Sequence, residues 1–270
     1  MNAWHKEIEQ SKLSIIVPVF NEARRLHENL DLLIDEVENY FPKFEILVIS
    51  DGSTDETNLK LASFRHKDVK PIIINRNEGK GAAVRSGFRE ATGDYILFID
   101  GGMEIHPREI RVFVGLMALY KADIVVGSKR HPQSKIEYPL LRRMLSWCFQ
   151  QLVRIFFKVD VTDTQVGIKL FRRDVIQTIL PYLEVNRYGF DLELLSLAKT
   201  FGFGNMLEAP IRMDYFMKNE RIPGAELFHV WRIGFSLLKD TAKLYLRIRK
   251  LRRTAALSGL LSGKDDIGAA

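Results

Sequence analysis

Five times in the first half of the chain, a short and almost wholly apolar run stops at a polar or glycine-rich cluster. The runs are Leu13–Phe20, Phe44–Ser50, Pro71–Asn75, Tyr95–Asp100 and Asp123–Ser128. A strand with one wet face alternates apolar and polar residues, whereas a run that is apolar throughout must be covered on both faces. Between the runs lie stretches with helical character. One extends from Asn21, read as its cap, to about Tyr40, and one from the Asp51–Asp55 turn to about Arg65. Two more cover Gly79–Ala91 beyond its glycines and roughly Pro107 to Tyr120. This alternation predicts an α/β fold: a mostly parallel, Rossmann-like sheet with helices on both faces.

In such sheets ligands bind beyond the carboxyl ends of the strands. The polar clusters fall there: Asn21-Glu22, Asp51-Gly52-Ser53, Asn77 through Lys80, Asp100, and Gly127-Ser128-Lys129. Any one of them reads equally well as turn and cap chemistry, but five together predict one convergent site.

Several functions are disfavoured. No G-x-G-x-x-G follows the first strand and no G-x-x-x-x-G-K-[ST] occurs, so neither a nicotinamide dehydrogenase nor a P-loop enzyme is indicated. The histidines are scattered, so no zinc pattern is seen. Cys148, the single cysteine, excludes an internal disulfide framework and favours a reducing compartment. The N-terminal MNAWHKEIEQSK has no apolar core segment, which predicts no signal peptide, and no apolar run has the roughly 18 residues of a spanning helix.

Charge is distributed unevenly. Residues 128–158 carry +6 and residues 229–253 carry +7, which leaves −7 for the rest of a chain whose total is +6. Both basic segments are rich in Trp, Phe and Leu. Nucleic acid is one reading of basic charge, but basic helices with an apolar face fit an anionic membrane surface better. We therefore expect membrane-surface contact and no nucleic-acid partner.

Four segments, taken in order, resemble the family 2 glycosyltransferases of GT-A fold. They are IIVPVFNE, VISDGSTDET, NEGKGAAVRSGFREATGDYILFID and DTQVGIKLFRRD, followed by YGFDLELLSLAKTFG and EAPI. Within that family the likeness is greatest to the dolichyl-phosphate glucosyltransferases, with the dolichol-phosphate mannose synthases next, and it runs from about residue 12 to 250. The Gln-x-x-Arg-Trp motif of processive members does not occur.

The resemblance implies a nucleotide-sugar donor, a polyprenyl-phosphate acceptor and Mg²⁺ or Mn²⁺. It places the nucleoside against Pro18, Asn21, Glu22, Asp51 and Ser53. Backbone amides of the glycine-rich turn and the Lys80 ammonium would approach the phosphates. The family usually ends its fourth strand in Asp-x-Asp, which binds the metal. Here Gly102 stands at the second Asp. Glu104, two residues on, occupies a position that contributes a metal contact in the mannose synthases. Asp100 and Glu104 are therefore the expected metal ligands, because Mg²⁺ needs only one or two protein carboxylates.

By the same resemblance Lys129, Arg142 and Ser146 would hold the acceptor phosphate, with Arg130 and Arg143 as alternatives, and Lys169 would neutralise phosphate. Asp163 and Gln165 would line the sugar or diphosphate site and, with Asp100, make up the expected catalytic set. Of Asp191 and Glu193, one would contact sugar hydroxyls and the other would be a helix-surface acid.

The expected organisation is an N-terminal extension over 1–11 and a glycosyltransferase domain over 12–227 that includes an interfacial helix at about 139–159. A basic amphipathic helix over 228–253 and a tail over 254–270 complete it. The location that follows is the cytoplasmic face of a membrane. Oligomeric state is open, with a homo-oligomer allowed.

Overall fold

A computed structural model describes residues 10–134, 153, 156–157, 159–187, 189–213 and 241–253. The five predicted strands are present as β1 (Leu13–Val19), β2 (Phe44–Asp51), β3 (Val69–Ile74), β4 (Tyr95–Ile99) and β5 (Ile124–Ser128). Two more, β6 (Ile168–Arg172) and β7 (Met206–Pro210), complete a seven-stranded sheet of order β3-β2-β1-β4-β6-β5-β7.

The sheet is mostly parallel, as expected, with one interruption. β6 runs antiparallel to β4, pairing Ile99 with Ile168, and antiparallel to β5. It lies between two strands that are consecutive among the predicted five. β4 and β5 are buried at every position, as an all-apolar strand requires. β3 is one of the two edge strands, half exposed, with Pro71 where a missing N–H costs least.

The helices are α1 (Leu26–Glu38), α2 (Thr57–Ser63), α3 (Lys80–Glu90), α4 (Ile110–Tyr120), α5 (Arg173–Ile179) and α6 (Phe190–Thr200). Residues 241–253 are also helical and are called α7. Leu26, Leu30, Leu33 and Val37 of α1 and Phe113 and Met117 of α4 pack with Ile15, Val17 and Leu97 on one face of the sheet. Val84 and Phe88 of α3, most of α6, and Leu244 and Ile248 of α7 pack with Ile16, Ile49 and Phe98 on the other. The chain is thus a helix–sheet–helix sandwich.

Two expectations are corrected here. Asn21 is not the cap of α1. It sits at φ 55°, five residues before the helix, and its side chain joins the β2 loop: Thr54 N donates to Asn21 Oδ1 at 2.8 Å, and Asn21 Nδ2 donates to Thr54 Oγ1 at 3.2 Å. The α4 start is as read: Pro107 opens a short 3₁₀ turn, and His106 Nδ1 accepts from Arg108 N.

The second correction concerns the basic C-terminal helix. Within its described part, Leu244 and Ile248 face the protein core, not a lipid boundary. Its outward face carries Lys243, Leu246, Arg249, Lys250 and Arg253. Similarly Val153, Phe157 and Val159, at the end of the other basic segment, are fully buried. Residues 135–152, 214–240 and 254–270, on which the remainder of both interfacial helices and the tail fall, lie outside the described residues.

Candidate active site

Beyond the carboxyl ends of β1, β2 and β4 lies an open cleft of about 690 Å³. Its lining includes Pro18, Glu22, Asp51, Lys80, Asp100, Glu104 and Gln165, so seven of the expected site residues meet there. Four of the five polar strand ends converge. The fifth, after β5, does not line the cleft, because β6 is inserted between β4 and β5.

Asp100 is held from several sides. Its backbone N–H donates to Gly167 O at 2.9 Å, and Met103 N donates back to Asp100 O at 3.0 Å, which turns the chain sharply. Gly101 N reaches Pro18 O at 3.3 Å, and the buried Asn29 donates to Gly101 O at 2.8 Å. The carboxylate lies directly against Gly167: a methyl there would sit 2.0 Å from Asp100 Oδ2. On its other side Lys80 Nζ is 2.6 Å from Asp100 Oδ1. The abrupt stop of β4 therefore delivers one carboxylate into the cleft between a glycine and a lysine.

Lys80 and Lys169 both lie over the Phe98 ring, at 5.4 and 5.0 Å from its centroid, yet their environments differ. Burial works against the charge on Lys80, but Asp100, Asp191 and Glu104 outweigh it, and its pKa is raised. For Lys169 burial dominates and pushes the pKa down. Asp191 and Asp163 offset this in part, while Lys80 adds to it.

Lys169 does not meet its expected role. It has no exposed surface, and its ammonium donates to Asp191 Oδ1 at 2.5 Å and Val166 O at 2.7 Å. In this arrangement it supports the cleft floor and does not reach out to a phosphate. Asp191 is therefore a cleft-lining acid already paired from behind. Glu193 is not a surface acid either: it is fully buried, accepts from Glu184 N and Val185 N, and is bridged by Arg247 of α7.

Asp51 is almost fully buried, and both its oxygens accept backbone amides, from Glu78 at 2.9 Å and Gly79 at 2.8 Å. It ties the end of β2 to the turn that begins α3. Gly52 beside it has φ 63°, and a side chain there would collide with Asn77 N at 2.2 Å. Ser53 Oγ accepts from Asn21 N at 3.1 Å and bonds Ser50 Oγ. Asn21 and Ser53 thus hold the two loops together and do not line the cleft.

Asp163 Oδ1 accepts from Gln165 N and Asp163 Oδ2 from Lys129 N, which fastens the turn before β6 to the end of β5. Neither Asp163 nor Lys129 lines the cleft. Arg142, Ser146 and Arg143 lie outside the described residues.

Sequence reasoning missed Arg187, which is exposed at the cleft, and Phe190. The segment bearing Arg187 is clamped against α3: Gly81 N donates to Asn186 O at 2.8 Å, and Arg85 donates to Asn186 Oδ1 at 2.8 Å. Arg187 immediately precedes the YGFDLELL motif, and that adjacency was the available signal.

Among the described lining residues there are five acids (Glu22, Asp51, Asp100, Glu104, Asp191) and two bases (Lys80, Arg187). Asp51 is satisfied by amides and Asp191 by Lys169, yet acid still exceeds base. A cleft of this charge repels a diphosphate unless a divalent cation accompanies it. The donor set is carboxylate oxygen, which suits Mg²⁺ or Mn²⁺. Among the described residues the lining carboxylates do not form a preformed three-ligand cluster. The one such group, Glu38, His66 and Asp68, is formed elsewhere in the chain. The metal would therefore need oxygens from its ligand.

Residues 14–180 match the model of glycosyl transferase family 2. A dolichyl-phosphate beta-glucosyltransferase of Saccharomyces cerevisiae is 32% identical over 218 residues, covering 72% of this chain and 64% of that protein. The Homo sapiens protein of the same name is 30% identical over 268 residues, covering 92% and 78%. The glycosyltransferase AglD of Haloferax volcanii is 27% identical over 93% of this chain but only 40% of its own length. The chain therefore spans less than two thirds of the yeast and archaeal relatives. Among solved structures, glucosyl-3-phosphoglycerate synthase from Mycobacterium tuberculosis, in complex with Mn²⁺, uridine-diphosphate and phosphoglyceric acid, superposes with a TM-score of 0.63. It is 18% identical and covers 91% of this chain and 84% of its own, a likeness of fold.

Proposed function

The chain belongs to glycosyl transferase family 2, and from that premise we propose that it moves a hexose from a nucleotide-sugar to a polyprenyl phosphate with inversion at the anomeric carbon. UDP-glucose and a dolichyl-type acceptor are the assignment favoured by the names of the relatives at 30–32% identity. GDP-mannose is the second donor to test. The observation that carries the reading is the acid-rich cleft at the strand ends, with Asp100 and Lys80 side by side at its centre.

The donor would lie with its nucleoside along Pro18 and Glu22, and its diphosphate near Lys80 and Arg187. Asp51 sets the loop beneath it. Asp100 and Glu104 would hold Mg²⁺ or Mn²⁺, and a bound divalent ion supplies neutralisation of the leaving diphosphate. An acceptor phosphate has its second pKa at about 6 and is ionised at neutral pH, so its oxygen attacks without a general base. The new bond joins that oxygen to the anomeric carbon as the bond to the nucleoside diphosphate breaks. Lys129, Arg142 and Ser146 are the groups we assign to the acceptor. The basic outward face of α7 would lie against anionic headgroups on the cytoplasmic side of a membrane, with Leu246 as its exposed apolar residue. No described helix is long and apolar enough to cross one.

Gly102 motivates a second reading, a nucleotide-sugar binder without turnover. One experiment separates them: incubation with a panel of nucleotide-sugars, Mg²⁺ or Mn²⁺ and polyprenyl phosphate, with glycolipid as the readout. Glycolipid formation that is lost in Asp100→Asn and Arg142→Ala supports transfer. Nucleotide binding with no glycolipid from any donor overturns it, and glycosylation of water-soluble saccharides in its place redirects the acceptor.

A further inference from the structure

Asp100 is the carboxylate on which the metal reading depends, and it is hemmed in on two sides. Oδ2 lies in the space that a side chain on Gly167 would need, 2.0 Å from where a Cβ would fall. Oδ1 is 2.6 Å from the Lys80 ammonium, which the fold delivers as the first residue of α3. Lys80 is kept there by more than one contact. Its ammonium lies over the Phe98 ring at 5.4 Å, and the turn preceding it is fixed by the two amide bonds to Asp51. A cation already occupies the side of Asp100 that a metal would need.

We propose that Lys80 stands in for the divalent ion in the donor-free cleft, so that metal binds Asp100 only when a nucleoside diphosphate has drawn the ammonium away. This inference rests on the function proposed above. An ammonium 2.6 Å from Oδ1 and a divalent ion bound to the same carboxylate would lie close enough to repel one another, and each weakens the hold of Asp100 on the other. The diphosphate offers Lys80 an anionic partner within the same cleft. It also supplies the oxygens that the carboxylates lack, since Asp100, Glu104 and Glu22 do not by themselves form a three-ligand group.

Release of Lys80 and capture of the metal are therefore one event. By linkage, the factor by which diphosphate tightens metal binding equals the factor by which metal tightens diphosphate binding. The arrangement also keeps an acid-rich cleft from filling with metal before a donor arrives.

The test is Mn²⁺ binding, followed by the electron paramagnetic resonance signal of free Mn²⁺. It needs no turnover. Wild type is titrated alone and with saturating UDP or GDP, and Lys80→Met and Lys80→Arg are titrated alone. Circular dichroism checks that each variant is folded. The expected result is that diphosphate tightens Mn²⁺ binding to wild type by at least about tenfold. Lys80→Met alone should gain about tenfold over wild type alone, because the competing charge is gone. Lys80→Arg alone should remain as weak as wild type. Equal Mn²⁺ affinity with and without diphosphate in wild type overturns the stand-in role without needing any variant, as does a Lys80→Met that binds no more tightly than wild type. If wild type binds no Mn²⁺ even with diphosphate, the metal-dependent function itself fails, and the inference fails with it.

Discussion

Replacing Gly167 with alanine isolates what the Asp100 pocket demands. The new methyl would lie 2.0 Å from Asp100 Oδ2 and 2.5 Å from its Cγ, so the carboxylate must retreat by about 1 Å to reach even a tight contact of 3.0 Å. Gly167 cannot yield instead, because its carbonyl accepts the Asp100 N–H and the next residue pairs in the β4–β6 ladder. Asp100 can rotate away only by giving up the Lys80 contact.

That pair is partly exposed, so its loss costs folding only about 0–1 kcal/mol, with residual overpacking adding about 1–3 kcal/mol. Displacing a reacting group by about 1 Å, by contrast, costs roughly 10²-fold in rate. Gly167→Ala should therefore melt only a few degrees below wild type while losing about 10²-fold in glycolipid formation. In an Asp100→Ala background the same change should cost little stability, because the two atoms that a Cβ would meet at 2.0 and 2.5 Å are absent. Thermal denaturation of the four proteins of this double-mutant cycle, with the transfer assay on wild type and Gly167→Ala, decides the matter. Activity of Gly167→Ala within a few-fold of wild type would refute the argument, as would an undiminished stability loss in the Asp100→Ala background.

Restoring a carboxylate by Gly102→Asp should fit, since the nearest atom to a Cβ there is Glu22 Oε1 at 3.8 Å. Stability should change by less than about 0.5 kcal/mol while Mn²⁺ binding with UDP tightens several-fold, and no gain would argue against a metal beside that position. Arg247→Ala removes the charge that bridges the fully buried Glu193. Two amide bonds remain, so denaturant unfolding should register a loss of about 2–3 kcal/mol, somewhat below that for an uncompensated buried charge. Glu45 has its pKa lowered below 4.5: burial opposes the charge, but Ser14, Thr92 and Lys12 prevail. A lowered carboxyl stabilises the fold above its unfolded value and loses that contribution as pH falls through the native one. Glu45→Gln should thus lower the melting temperature at pH 7 and converge with wild type in acid. A constant gap would contradict this assignment.

The five all-apolar runs determined by themselves that this chain builds a covered, mostly parallel sheet, and the residues that end those runs marked one end of it as the site. Local patterning carries that information because the period of burial follows from the strand's own geometry. It does not say which strand lies beside which. Ile168–Arg172 reads as part of a motif, and only its pairing reveals an antiparallel strand that parts β4 from β5 and keeps Lys129 off the cleft.

The same limit applies to charge. Lys169 and Glu193 look like surface residues in one dimension, because an ionised side chain is costly to bury without a partner. Their partners, Asp191 and Arg247, are 22 and 54 residues away in sequence. Only the tertiary structure brings them within bonding distance, and so only it decided which of the chain's charges face the cleft and which hold up its floor.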